Sequence, residues 1–276
     1  MLQHLLIAID GAEATAQIAT RAVQLAQPLG ARVVLCHVHR AAGPHATATQ
    51  ALARLEAAAQ ALGVHSTTLS CEHTQAWRAL LDAAIGAPAD LLCLVPRRQR
   101  PLLAWLWGST TREVLAHATQ PVLLLRRMSK TPARYRQILA VATGCPSDRR
   151  VFGIALRLAA ASVAQLTLLA RCAPPAARPR AGDLAEAAEA DAQTREHWQD
   201  TLAAWRTQAS GMGVRCSVEI VPSDHPGRMV AERLHALDAD LLVLGRDPEH
   251  SLGTLRGDGE VSPHQAPEDV DVLVVP

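Results

Sequence analysis

The side chains best suited to chemistry in this chain do not add up to a catalytic set. Histidine occurs 12 times, and His37 and His39 form the best local pair, because residues two apart share one face of a strand. No carboxylate or cysteine stands at a supporting spacing, so the pair is expected to hold no metal. Cys36, Cys71, Cys93, Cys145, Cys172 and Cys216 are scattered, with no C-x-x-C. They read as small buried hydrophobes in a reducing compartment. Of the 27 Lys and Arg residues one alone is a lysine, Lys130. A Walker-type phosphate loop needs a lysine behind its glycines, and Schiff-base chemistry needs one in a pocket; neither is available. The chain also has no G-x-S-x-G, no H-E-x-x-H and no G-x-G-x-x-G after an apolar run. Asp82 and Asp90 read as a helix-surface residue and a strand-entry residue rather than an acid/base pair. The sequence predicts no enzyme.

The elements that would position any site come in two copies. Ala89-Asp90-Leu91-Leu92-Cys93-Leu94 returns 150 residues later as Ala239-Asp240-Leu241-Leu242-Val243-Leu244, and Leu5 to Ile9 matches Ile138 to Ala142 at an offset of 133. A repeat this long is a duplicated domain rather than a solenoid unit. In the first copy, apolar runs at 5–9, 32–38, 65–71, 91–95 and 122–126 alternate with helical patterns at 13–27, 47–62, 75–85 and 109–117. Almost continuously apolar strands are buried on both faces, which predicts a parallel sheet covered by helices.

The second copy repeats the order with strands at 137–142, 164–171, 213–221, 240–245 and 270–275. Its helices are predicted at 148–161, 183–210 and 227–237. The longest opens with Asp183-x-x-Glu186, a capping box, and carries Trp198, Leu202 and Trp205 on one stripe, a core-packing pattern. Pro263 and Pro267 interrupt the pattern of a fourth helix, so 251–269 is expected to wrap as a loop.

With 276 residues the chain can hold two domains of ordinary size. Its mean hydropathy is +0.07. The most apolar window, Val151 to Ala170, is broken by Arg157 and Gln165, and Met1 to Asp10 lacks a basic leader region, so a cytoplasmic protein with no membrane insertion is expected. Residues 1–130 carry 12 basic and 7 acidic groups, and residues 131–276 carry 15 and 19. The net charge of +1 argues against nucleic-acid binding, and the opposite signs suit two halves that dock on one another. The terminal strands, Val122 to Leu125 and Val272 to Val275, should be sheet edges, and a bare apolar edge invites aggregation. Pairing of the two edges would remove both.

From Asp90 to Arg126 the chain resembles the universal stress protein family: Ala-Asp-Leu-Leu-Cys-Leu, a variable loop, Gly108-Ser109, an amphipathic helix, then Gln120-Pro121-Val122-Leu123-Leu124-Leu125. Leu5 to Ile9 with Asp10-Gly11 looks like that family's first strand and acidic turn. The resemblance implies an α/β fold of two tandem Rossmann-like doubly wound domains, 1–130 and 135–276. Each would hold a five-stranded parallel sheet, and together they would form an intramolecular pseudo-dimer.

Nucleotide-binding members carry G-x-x-G-x9-G-[ST] after the fourth strand. The glycines let backbone N–H groups approach ribose and phosphate, and the final pair opens a helix whose N-terminus favours anions. Here the first-copy positions are Val95, Arg98 and Gly108-Ser109, and the second-copy positions are Gly245, Pro248 and Asp258. By resemblance, Asp10 sits at the adenosine end, Val38 lines the base pocket, and Gly108, Ser109 and Thr110 face phosphates. Arg97, Arg98 and Arg100 could clasp phosphate in place of amides, or form a solvated loop. Thr110-x-x-Glu113 also reads as a capping box, a structural reason for the same hydroxyls.

The resemblance implies a stress-response sensor or adaptor with weak or no nucleotide binding and an unidentified protein partner. The alternative is an adenine-nucleotide (ATP or AMP) binding protein using the first repeat only. Regulation of a membrane transporter fits the fold equally well, and further homo-oligomerisation is left open.

Overall fold

Each apolar run forms a strand, and the repeated order gives two units of one topology. The computed structural model describes residues 2–39, 46–96, 108–126, 134–143, 147–172, 184–222, 226–246, 266–267 and 269–276. In the first half the order is β1 (His4–Ile9), α1 (Glu13–Leu29), β2 (Arg32–His39), α2 (Ala46–Ala61), β3 (Ser66–Glu72), α3 (Ala76–Gly86), β4 (Leu91–Leu94), α4 (Ser109–His117) and β5 (Val122–Leu124). The second half runs β6 (Gln137–Ala142), α5 (Asp148–Ser162), β7 (Gln165–Cys172), α6 (Leu184–Gly211), β8 (Cys216–Pro222), α7 (Pro226–Ala236), β9 (Leu241–Gly245) and β10 (Asp271–Val275). The Asp183 capping box and most of 251–269 lie outside the described residues.

Within each half the strands are parallel, with spatial order β3-β2-β1-β4-β5 and β8-β7-β6-β9-β10. The two edges then pair antiparallel, Val272 with Leu124, Leu273 with Leu123 and Val274 with Val122. The edge pairing expected from the sequence is thus present, and it joins the two five-stranded parallel sheets into one ten-stranded sheet. The buried junction strands carry no exposed apolar edge. The outer edges are the more polar β3 and β8, a composition that resists edge-to-edge association.

Side chains alternate between two cores. Leu5, Ile7, Leu91, Cys93, Leu123, Val243 and Leu273 point to the face covered by α1, α2, α5 and α6; Leu6, Leu92, Leu94, Leu124, Leu242 and Val272 point to the face covered by α3, α4 and α7. The stripe on α6 is core as expected. Trp198 and Leu202 are buried, and Trp205 stacks on Phe152 with ring centres 4.8 Å apart.

Both repeated aspartates do the same structural job. Asp90 accepts hydrogen bonds from the N–H groups of Gln3 and His4, and Asp240 from those of Arg136 and Gln137. Each carboxylate thus latches the start of its half's first strand to the entry of the fourth. A second polar group crosses the junction. Asp271, fully buried at the start of β10, accepts from Arg126 N–H (2.7 Å) and Tyr135 O–H (3.1 Å) and pairs with Arg21 of α1. Arg21 also donates to the Arg126 carbonyl (3.0 Å), and Arg126 to that of Ala266 (3.0 Å). Burial pushes the Asp271 carboxyl up to about 6, opposed by Arg21 and the hydrogen bonds.

Candidate functional site

A doubly wound sheet leaves a crevice where the strand order reverses, outside the carboxyl ends of the strands. In the first half that point lies between β1 and β4, which are neighbours while β2 and β5 lie on opposite sides. A cavity of about 510 Å³ sits there. Asp10 and Thr15 line it from the β1–α1 turn and the first turn of α1, Val38 from the end of β2, and Val95 from the end of β4; Gly108, Ser109, Thr110 and Thr111 close it from the start of α4. Ala76 and Leu80 of α3 supply apolar wall. Its volume falls within the range of small-molecule sites, roughly 300–1,000 Å³.

The turn that presents Asp10 is tight for a stated reason. Gly11 adopts φ +81°, and a Cβ there would lie 3.0 Å from the Cβ of Ala48 in α2. Only glycine meets both demands without strain. Asp10 accepts the N–H of Ala12 at 3.0 Å, so its carboxylate shapes the turn and borders the cavity together.

The capping expectation at Thr110 is corrected. The helix starts two residues earlier than a Thr110 cap requires: Gly108 is the N-cap and makes no side-chain cap hydrogen bond. Glu113 instead faces Arg112 and His117. The first turn of α4 carries no acidic residue, so the positive end of its dipole is uncompensated from within the turn and opens at the cavity.

Five of the six predicted site residues therefore meet in one place: Asp10, Val38, Gly108, Ser109 and Thr110. Arg98, with Arg97 and Arg100, lies outside the described residues. Thr15 and Thr111, both buried, were not anticipated; single hydroxyls on amphipathic helices leave no periodic signal.

The second half differs at the same level. Thr143 stands at the repeat position of Asp10, and its N–H is taken by the buried Asp148 carboxylate at 3.0 and 3.2 Å. Gly245, at the first glycine position of the motif, has a packing reason to be glycine. A Cβ there would come within 2.5 Å of Ser147 Oγ. Pro248 and Asp258 lie outside the described residues.

The metal and thiol candidates stay apart from this site. His37 bonds the Ile9 carbonyl through Nδ1 at 2.9 Å and stacks on His39. Among the described residues no group of three or more His, Cys, Asp or Glu side chains could hold a metal. Burial pushes the Cys36 thiol up to about 12, with Cys71 adding to the shift, and raises Cys93 as well. No described helix is long and apolar enough to cross a membrane.

Fold and cavity together define a tandem pair of doubly wound α/β units with a crevice at a strand-order reversal. Comparison with known proteins assigns the class. The universal stress protein family model matches residues 1–126 and again 134–262, so the chain belongs to the universal stress protein family as a two-domain member. No curated protein matches.

Among solved structures, a universal stress protein from Archaeoglobus fulgidus DSM 4304 is 12% identical with a TM-score of 0.66, covering 100% of this chain and 96% of that one. A functionally unknown protein from Pseudomonas aeruginosa PAO1 is 18% identical with a TM-score of 0.68, covering 99% and 92%. At these identities the likeness concerns the fold.

Proposed function

We propose that the chain is a tandem universal stress protein acting as a sensor or adaptor, not as an enzyme. In this reading its first half weakly holds an adenine nucleotide, ATP or AMP, in the cavity between β1 and β4. The observation that carries the reading is the convergence of Asp10, Val38 and Gly108 to Thr110 on one cavity at the open N-terminus of α4. Val38, Leu80 and Leu94 suit the flat apolar face of a base, the Asp10 carboxylate suits ribose hydroxyls, and the α4 N-terminus with Ser109 and Thr110 suits phosphate.

Weakness follows from Val95. A side chain occupies the position where nucleotide-binding relatives place their first glycine, so backbone amides there cannot be approached as closely. The second half serves as scaffold, because Ser147 and Asp148 pack where its counterpart site would open.

Calorimetry on the full chain with ATP and with AMP tests this reading. Dissociation constants between about 10 μM and 1 mM are expected, which is about 4–7 kcal/mol of binding free energy. Asp10→Asn keeps an acceptor for the Ala12 N–H while removing the charge, and should weaken binding several-fold. Silence of both nucleotides to millimolar levels would remove the ligand and leave a sensor or adaptor without one.

A further inference from the structure

The antiparallel junction places the C-terminal edge of the second half beside the N-terminal edge of the first. Helix α4 runs antiparallel to the first-half strands, so its N-terminus lies at the cavity and its C-terminus lies at the edge facing the second half. Arg246, the residue after β9, reaches across that gap. Its Nη1 donates to the carbonyl oxygens of Leu115 (3.0 Å), Ala116 (3.1 Å) and Ala118 (2.8 Å), and its own N–H is fixed to the Val275 carbonyl.

These are orphan carbonyls at a helix end. No glycine closes α4: its C-cap, Ala118, is extended at φ −62°, ψ 137°, and returns a single N–H to Val114. A guanidinium is the partner that a helix C-terminus prefers, both as donor and as charge. The helix has nine residues, below the ~12–15 at which helices begin to hold on their own in water. Its order must therefore come from what touches it.

We propose that Arg246 is a positioning strut through which the second half orders α4 along its whole length and so sets the grip of the first-half cavity. The arrangement is one-sided. By the 150-residue offset the counterpart of Arg246 is Pro96, which has neither a guanidinium nor a backbone N–H. The half with the open cavity receives the strut. The half that gives it does so from the residue after Gly245, at the end of the strand where its own site would lie. The part of this proposal that concerns ligand grip rests on the nucleotide reading above; the ordering of α4 does not.

The test compares Arg246→Gln and Arg246→Lys with the parent full-length chain. Amide hydrogen exchange is read without ligand at Arg112, whose N–H bonds Gly108 in the first turn, and at Ala118 in the last. Arg246→Gln should speed exchange at both amides about tenfold, the scale of losing charged hydrogen bonds. Arg246→Lys should restore part of it, since an ammonium keeps the charge and three donors but sits on a shorter side chain than the Nη1 that makes these contacts. Faster exchange at Ala118 alone would overturn the proposal by reducing Arg246 to a local cap.

Calorimetry with ATP and AMP should show affinity falling about tenfold in step; an unchanged affinity with a loosened Arg112 would overturn the link to the cavity. If the parent chain binds neither nucleotide, the functional reading falls and the exchange at Arg112 still decides the strut.

Discussion

Replacing Arg21 with methionine would expose how the two halves are held together. Asp271 has no exposed surface, and Arg21 is the cation paired with it. Its carboxyl keeps a proton up to about 6 in the fold, against an ordinary 3.8. A raised carboxyl contributes stability that is fully present below the unfolded value and is lost as pH rises through the folded one. Two units at 1.36 kcal/mol each make the parent fold about 3 kcal/mol less stable at pH 8 than with the proton on.

Arg21→Met removes the group that makes the charged form tolerable, so the variant's loss must depend on pH. At pH 8 an uncompensated buried carboxylate should cost about 3–5 kcal/mol. At pH 5 the carboxyl is already mostly protonated, and the loss should shrink to about 1 kcal/mol, that of a neutral hydrogen bond. Urea unfolding followed by tryptophan fluorescence at both pH values, with the parent subtracted, cancels the titration of the histidines. A loss of equal size at pH 5 and pH 8 would refute the reasoning, because it would mean that Arg21 acts through packing and not through the charge on Asp271.

The other predictions concern the aspartate latches and the two glycines. Asp240→Ala should destabilise the chain more than Asp90→Ala, by about 1 kcal/mol or more in urea midpoints, because the Asp240 side chain is 8% exposed and that of Asp90 33%, and N–H groups orphaned away from water cost more. Gly245→Ala should cost about 1–3 kcal/mol by overpacking against Ser147, and the added change Ser147→Gly should recover much of it; additive losses would show the Gly245 clash to be elsewhere. Among the described residues, a Cβ added at Gly108 meets nothing within 4 Å beyond its own stretch of chain, so with Gly108→Ala thermal stability should fall by about 1 kcal/mol or less. Nucleotide affinity should nevertheless fall about tenfold, and an unchanged affinity would place the ligand away from Gly108.

The fold was legible because parallel strands buried on both faces read as unbroken apolar runs, such as Leu91 to Leu94, and because the repeat supplied each element twice. Edge pairing followed from asking what covers Val122 to Leu125. The cavity was legible at Asp10, Val38 and Gly108 to Thr110 through family resemblance, which fixes positions that composition alone does not. What stayed hidden was polar and long-range. Arg21 and Asp271 are 250 residues apart, and no local pattern marks one arginine among many as a buried partner. The Thr110 cap was misplaced because Gly108-Ser109-Thr110-Thr111 offers several acceptable starts, and which residue takes the cap is set by how the chain arrives.

The antiparallel junction explains why a duplicated fold need not keep two equal sites. Were the halves joined by a parallel pairing, their carboxyl edges would lie side by side and both crevices would open on one rim. With Val272 against Leu124 and Val274 against Val122, the carboxyl edge of each half instead borders the amino edge of the other. A residue at the mouth of one crevice is then free to support the far end of a helix that closes the opposite one. Arg246 takes that position on one side, and Asp271, with Tyr135 and Arg21, fills the other junction with buried charge. On the proposed reading, a copy that holds no ligand can still constrain its twin, because the contact it supplies is made to the helix of the other half.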